Sequence, residues 1–76
     1  MLNLANRIIL DHVCVIEGDY DELNQALGQI NGWIMEEECK ERNLDYRRLN
    51  QMREATYAIN RRLSYLKEQM DGQSDG

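Results

Sequence analysis

Side chains that are mostly apolar recur with alternating spacings of three and four along two long stretches of the chain. In residues 20–42 the seam consists of Tyr20, Leu23, Leu27, Ile30 and Ile34. In residues 45–70 it consists of Leu49, Met52, Thr56, Ile59, Leu63, Leu66 and Met70. This spacing keeps one stripe of each helix facing a partner helix. Because a short connection at residues 43–45 joins the two stretches, the pattern predicts an antiparallel, coiled-coil-like helical hairpin.

The N-terminal segment, residues 3–16, is apolar on most of its surface and has one polar stripe at Asn3, Arg7 and Asp11. We predict a helix here, although the β-branched run within residues 13–16 leaves a strand as the alternative. The fold class is therefore all-α, with an N-terminal helix, the hairpin and a single domain over residues 1–70. Residues 71–76 are polar and contain two glycines, which predicts a disordered tail.

Residues between the predicted helices are typical of helix ends. Gly18 is a good stop for the first helix. Asp19 can cap the second helix, with Glu22 at capping-box spacing. Asn43 tolerates the left-handed conformation, and Asp45 can cap the third helix.

The apolar surface of the N-terminal segment is larger than one hairpin can cover, so we expect a second copy to bury the rest in a dimeric helical bundle. Two glycines four residues apart would let another helix approach closely, with a tryptophan beside them. The predicted oligomer interface consists of Leu2, Ala5, Ile8, Ile9, Val13, Ile16, Gly28, Gly32 and Trp33.

Composition limits the function classes. The 76 residues have room for one domain, and the absence of proline suits a helical chain. The net charge of −5 argues against non-specific binding to nucleic acid or to an anionic membrane. The charge is uneven: residues 1–40 carry 8 acids and 2 bases, whereas residues 41–76 carry 6 acids and 7 bases.

The two cysteines, Cys14 and Cys39, are far apart and lack the spacing of a metal site. We expect buried, reduced thiols in a cytoplasmic protein, with a disulfide or a shared metal as alternatives. No segment has the pattern of a signal peptide or of a membrane span, so we expect no membrane association.

The densest charged cluster is acidic and ends the predicted second helix, where it opposes the helix dipole. It consists of Glu36, Glu37, Glu38 and Glu41. We interpret it either as a face that docks on a basic protein partner or as a solvated face paired with Arg47 and Arg48. A metal site at Glu38 and Glu41 is a weaker alternative, because carboxylate sites in helix bundles usually include a Glu-x-x-His element.

The function predicted from these features is that of a small acidic, non-enzymatic protein-interaction module that needs no cofactor. It would act as a regulator or inhibitor by docking an acidic helical face on a basic surface of its partner. No catalytic constellation is evident, because on a helix His12 diverges from both Asp11 and Cys14. An enzyme or metal protein with its site in the bundle core is a third hypothesis. The main alternative is a dimeric nucleic-acid-binding regulator, in which an arginine-rich arc contacts phosphates. That arc consists of Arg47, Arg48, Arg61 and Arg62.

Overall fold

The structure, a computed structural model, describes residues 3–74, and these residues form only helices, with no strand among them. The α-helices are α1 (Leu4–Leu10), α2 (Tyr20–Glu38) and α3 (Tyr46–Ser74), and a 3₁₀ helix (His12–Glu17) lies between α1 and α2. The predicted all-α fold class is confirmed. The N-terminal segment is helical rather than a strand.

The hairpin helices pack along each other in opposite directions, but their ends differ from the prediction. α2 ends at Glu38, four residues before the predicted end at 42, so residues 39–45 form a longer connection. The acidic residues at its end oppose the helix dipole, which explains why the helix stops early. α3 continues to Ser74 through part of the predicted disordered tail, and the last two residues of that tail lie outside the described residues.

The predicted caps at the starts of α2 and α3 are present. Asp19 accepts a hydrogen bond from the Glu22 backbone N–H at 2.8 Å, and Glu22 accepts one from the Asp19 N–H at 3.0 Å. Asp45 accepts from the Arg48 N–H at 3.0 Å at the start of α3. Asn43 has a φ of 60°, in the left-handed region where asparagine is tolerated. Each cap stabilises its helix by about 1 kcal/mol.

The single helix predicted for residues 3–16 is wrong, because the chain breaks at Asp11. That residue is extended, with φ −150° and ψ 110°, and its carboxylate accepts a hydrogen bond from the Val13 N–H at 3.1 Å. An aspartate that bonds to a nearby backbone N–H competes with helix continuation. The β-branched residues that follow have low α-helix propensity, so this part of the chain forms a 3₁₀ helix and does not continue the α-helix.

α1 contacts both hairpin helices, and all three α-helices contribute to one core. The buried apolar residues are Ala5, Ile8, Ile9, Leu23, Ala26, Ile30, Ile34, Leu49, Met52, Ala55, Ile59 and Leu63. Ala26 and Ala55 are buried in place of the predicted seam residues Leu27 and Thr56, which are only partly buried. The buried stripe on each hairpin helix is wider than the predicted seam, because each helix packs against α1 as well as against the other hairpin helix.

Part of the predicted oligomer interface is wrong, because α1 uses those residues inside its own chain. Ala5, Ile8 and Ile9 are at most 5% exposed and pack against the hairpin. They are therefore unavailable to a second copy. Leu2 lies outside the described residues.

The glycines of the predicted interface lie on an open face of α2. A methyl group placed on Gly28 or Gly32 would meet no heavy atom of α1 or of α3 within 4 Å, so neither helix packs over the two glycines. Gly18 is different. It is extended rather than left-handed, and a Cβ there would lie 2.5 Å from the Leu4 Cδ2 atom. Its function is to admit Leu4, not to provide a left-handed helix stop.

Replacing Gly28 and Gly32 with alanine should stabilise the chain. Glycine inside a helix costs roughly 0.5–1 kcal/mol relative to alanine, and the added methyl groups meet no neighbour. Urea denaturation followed by circular dichroism should show the free energy of unfolding rising by roughly 1–2 kcal/mol in the double variant. Gly18→Ala is the control and should lower stability. A loss of stability in the double variant would instead show that another helix packs on this face.

Candidate protein-binding surface

Three aliphatic side chains of the N-terminal segment remain exposed, and we call them the N-terminal trio. Leu10 is 71% exposed, Val13 65% and Ile16 62%. Val13 and Ile16 are three residues apart in the 3₁₀ helix and therefore project from the same face. Two of the residues predicted for the oligomer interface, Val13 and Ile16, are thus available on the surface, whereas Leu10 was not predicted.

Acidic residues lie beside the trio. Asp11, Glu17 and Asp19 are all exposed. Glu17 accepts a hydrogen bond from the Arg7 guanidinium at 2.8 Å, and both side chains of this ion pair remain 43% exposed. A surface ion pair of this kind contributes little to stability.

The Cys14 thiol lies within the same negative environment. Its hydrogen bond to Glu17 raises the pKa of Cys14, as do partial desolvation and the negative charges of Glu17 and Asp11, whereas Arg7 opposes them. A thiol with a raised pKa is a poor nucleophile at neutral pH, because less of it is thiolate. The local charge therefore favours binding of cations rather than thiol chemistry.

The 3₁₀ helix is seated beside α3. His12 Nε2 lies 4.0 Å from the Glu54 carboxylate, and the cleft between them is also lined by Tyr57, Ala58 and Arg61. His12 thus faces an acid on α3, not Asp11 or Cys14. Tyr57 is 67% exposed and adds an aromatic side chain to this side of the molecule.

The predicted acidic face is divided by the fold. Glu38 accepts a hydrogen bond from Arg53 at 2.7 Å, and Glu37 is buried with its carboxylate 2.8 Å from the Lys40 ammonium. Glu36 and Glu41 remain exposed. The alternative interpretation, in which the cluster pairs with Arg47 and Arg48, does not match these ion pairs, which run to Lys40 and Arg53.

Glu36 and Glu37 border a small cleft near the loop of the hairpin, which we call the end cleft. Its lining comes from the last part of α2, the loop and the first part of α3. The lining residues are Trp33, Glu36, Glu37, Lys40, Arg48 and Met52. Trp33, which belongs to the predicted oligomer interface, lines this cleft and packs partly against the core.

The arginines of the predicted nucleic-acid arc do not converge on one surface. Arg48 lines the end cleft, and Arg61 lines the cleft beside His12. Arg47 is exposed, and the Arg62 guanidinium lies 5.0 Å from the centroid of the Tyr65 ring, in cation–π range. About 20 Å of helix separates the first pair from the second.

Both cysteines are free thiols, and no disulfide joins them. Their predicted burial is wrong, because Cys39 is exposed and Cys14 is partly exposed.

Among the described side chains, no group of three or more histidine, cysteine, aspartate or glutamate residues is arranged to hold a metal ion. Within residues 3–74, no helix combines the length and the apolar character needed to cross a membrane.

Comparison with models of known protein families, with curated proteins and with solved structures found no significant match. The candidate surface is therefore defined by its own geometry and charge.

Thiol labelling should test the negative environment beside the trio. At about pH 8, a maleimide or disulfide reagent should modify the exposed Cys39 faster than Cys14, because the raised pKa keeps Cys14 protonated. Glu17→Gln removes the hydrogen-bonded negative charge, so the pKa of Cys14 should fall and its labelling should accelerate. Mass spectrometry distinguishes the two sites. Glu68→Gln, an exposed substitution elsewhere on α3, is the matched control and should change neither rate.

Proposed function

We propose that this chain is a non-enzymatic protein-interaction module and that the N-terminal trio is its contact surface. The exposure of Leu10, Val13 and Ile16 is the observation that supports the proposal. Other apolar residues of the same segment reach the core, whereas these three project into solvent. Covering an aliphatic side chain of this size contributes about 1.5–3 kcal/mol. Val13 and Ile16 share a face of the 3₁₀ helix, and Leu10 is close to them in the chain, so the three offer apolar area for binding.

The charge beside the trio favours a basic partner. Asp11, Glu17 and Asp19 are exposed and close to the trio in the chain, and Arg7 is already engaged with Glu17. We therefore propose that the occupant is a basic amphipathic helix of another protein. Its apolar stripe would cover the trio while its lysines or arginines face the carboxylates.

The same charges disfavour self-association through the trio. In a symmetric dimer each copy presents the same patch, so acidic residues would face acidic residues. A homodimer, expected from the sequence as part of a coiled-coil-like bundle, is therefore the competing outcome. Of the residues expected at its interface, Val13, Ile16, Gly28 and Gly32 remain exposed, whereas Ala5, Ile8 and Ile9 are buried.

A basic partner matches the acidic composition of the chain. The proposed contact surface is the N-terminal trio, however, and not the acidic cluster predicted at residues 36–41. A small module that covers a basic amphipathic segment would regulate or inhibit the protein that carries it. The two free thiols suit a reducing compartment, and we propose a cytoplasmic setting. The nucleic-acid alternative has less support, because its arginines face different clefts.

Val13→Ser with Ile16→Ser should weaken binding of a basic amphipathic helix. The probe is a synthetic helical peptide of leucine and lysine, and its leucine–glutamate counterpart is the charge control. Fluorescence anisotropy should show binding of the lysine peptide weakened by about 100-fold or more, because two aliphatic contacts of about 1.5–3 kcal/mol each are lost. Added salt should also weaken binding, because it screens the carboxylates.

Met35→Ser with Tyr46→Ser is the matched control, since both side chains are comparably exposed but lie near the other end of the hairpin. This variant should bind like the unmodified chain. Equal loss in both variants would contradict the proposal. Sedimentation velocity covers the competing outcome: a dimer that dissociates in the Val13→Ser, Ile16→Ser variant would show that a second copy occupies the trio.

A further inference from the structure

α3 has a row of charged side chains on the face that the core does not use, and we call this row the charged stripe. It consists of Arg47, Glu54, Arg61 and Glu68. The four residues follow one another at intervals of seven, and their charges alternate in sign. Seven residues are close to two helical turns, so these side chains project from nearly the same face, about 10 Å apart. All four are exposed, whereas the buried side chains of α3 lie on the opposite side of the helix.

The chain itself makes little use of the charged stripe. No described side chain forms an ion pair with Arg47, Arg61 or Glu68. Glu54 has only His12 near its carboxylate, at 4.0 Å, and both side chains of this contact are largely exposed. A long, exposed contact of this kind contributes little to stability. Contacts within one chain therefore do not account for the alternating pattern.

The charged stripe is complementary to a reversed copy of itself. When two α3 helices pair antiparallel about a two-fold axis beside residues 57 and 58, Glu54 faces Arg61 of the second copy. At the ends of the stripe, Arg47 faces Glu68 of the second copy. The two-fold axis repeats both contacts, so every charge of the two stripes meets an opposite charge. A parallel pairing in register would instead place each charge beside the same charge.

The side chains at the centre of this pairing also suit it. Tyr57 is 67% exposed, and Ala58 next to it is small enough to let a second helix approach closely. Both residues line the cleft beside His12, which has a volume of about 230 Å³. The antiparallel pairing brings Tyr57 of the second copy to Ala58 and thus to this cleft. Aromatic side chains are enriched at the centres of protein interfaces.

α3 is also the part of the chain through which two acidic copies repel each other least. It carries six basic and three acidic residues, whereas the rest of the chain carries three basic and eleven acidic ones. We infer that a second copy of the chain docks antiparallel on the charged stripe of α3. Complementary charges of this kind determine the partner and the direction of pairing more than they add affinity. The inference goes beyond the proposed function, since the N-terminal trio takes no part in this pairing.

Sedimentation equilibrium of the full chain should show monomer and dimer in equilibrium. The contact involves one helix of each copy, so we expect a dissociation constant on the order of 0.1 mM, and the protein concentration is varied from about 10 µM to 1 mM. The buffer contains about 0.15 M salt, because at lower ionic strength the net charge of −5 on each copy opposes association.

Charge reversal distinguishes this pairing from any other dimer. Glu54→Arg places like charges opposite each other at both central contacts, and so does Arg61→Glu. Each single variant should therefore dimerise about tenfold more weakly or worse. The variant with both changes restores opposite charges and should dimerise like the unmodified chain. An equimolar mixture of the two single variants should form a heterodimer, because each supplies the charge that the other needs.

Glu36→Arg and Arg42→Glu make the same charge changes at exposed positions outside α3 and are the matched controls, which should leave dimerisation unchanged. Recovery in the double variant and in the mixture shows that the single variants are folded. The inference is overturned if the unmodified chain remains monomeric up to about 1 mM, well above the expected dissociation constant. It is also overturned if the mixture associates no more strongly than either single variant.

The trio provides the remaining comparison. Val13→Ser with Ile16→Ser should leave this dimer intact, whereas the same variant should lose binding of the basic peptide. A dimer that this variant abolishes and that charge reversal in α3 leaves unchanged would overturn the inference, because the second copy would then occupy the trio. Failure of the proposed function and failure of this inference are therefore distinguishable.

Discussion

The hydrogen bond between the Asp11 carboxylate and the Val13 N–H determines how this small chain closes its core. This hydrogen bond ends α1 and turns the backbone. The residues before and after Asp11 can therefore pack against different parts of the hairpin. α1 packs across both hairpin helices and buries Ile8 and Ile9, whereas the 3₁₀ helix packs against α3. An unbroken helix over residues 3–16 would be about 21 Å long and straight, so it could not make both contacts.

The turn at Asp11 also determines which apolar side chains of the N-terminal segment are exposed to solvent. The sequence suggests a large apolar surplus on the N-terminal segment, and the break reduces it to Leu10, Val13 and Ile16. Asp11 also contributes a negative charge next to those side chains. A single residue thus accounts both for the exposure of these apolar side chains and for part of the negative charge beside them.

Local rules explain which parts of the fold are predictable from the sequence. The caps at Asp19 and Asp45 and the left-handed Asn43 depend on neighbouring residues, and all three are found. The break at Asp11 is harder to predict because the residue also continues a polar stripe; the β-branched run after it is the available signal. The burial of Ala26 requires knowing that α1 packs across α2, which is a property of the tertiary fold.

The candidate sites depend even more on tertiary geometry, because residue types predict charge but not pairing. Glu38 meets Arg53 only because the connection extends over residues 39–45. Both basic residues of the first forty, Arg7 and Lys40, pair within that half. Among the described side chains, two ion pairs include a residue of α3: Glu38 with Arg53, and His12 with Glu54. The fold therefore leaves much of the acidic surplus of the N-terminal half facing solvent, where it sets up a negative electrostatic potential around this half.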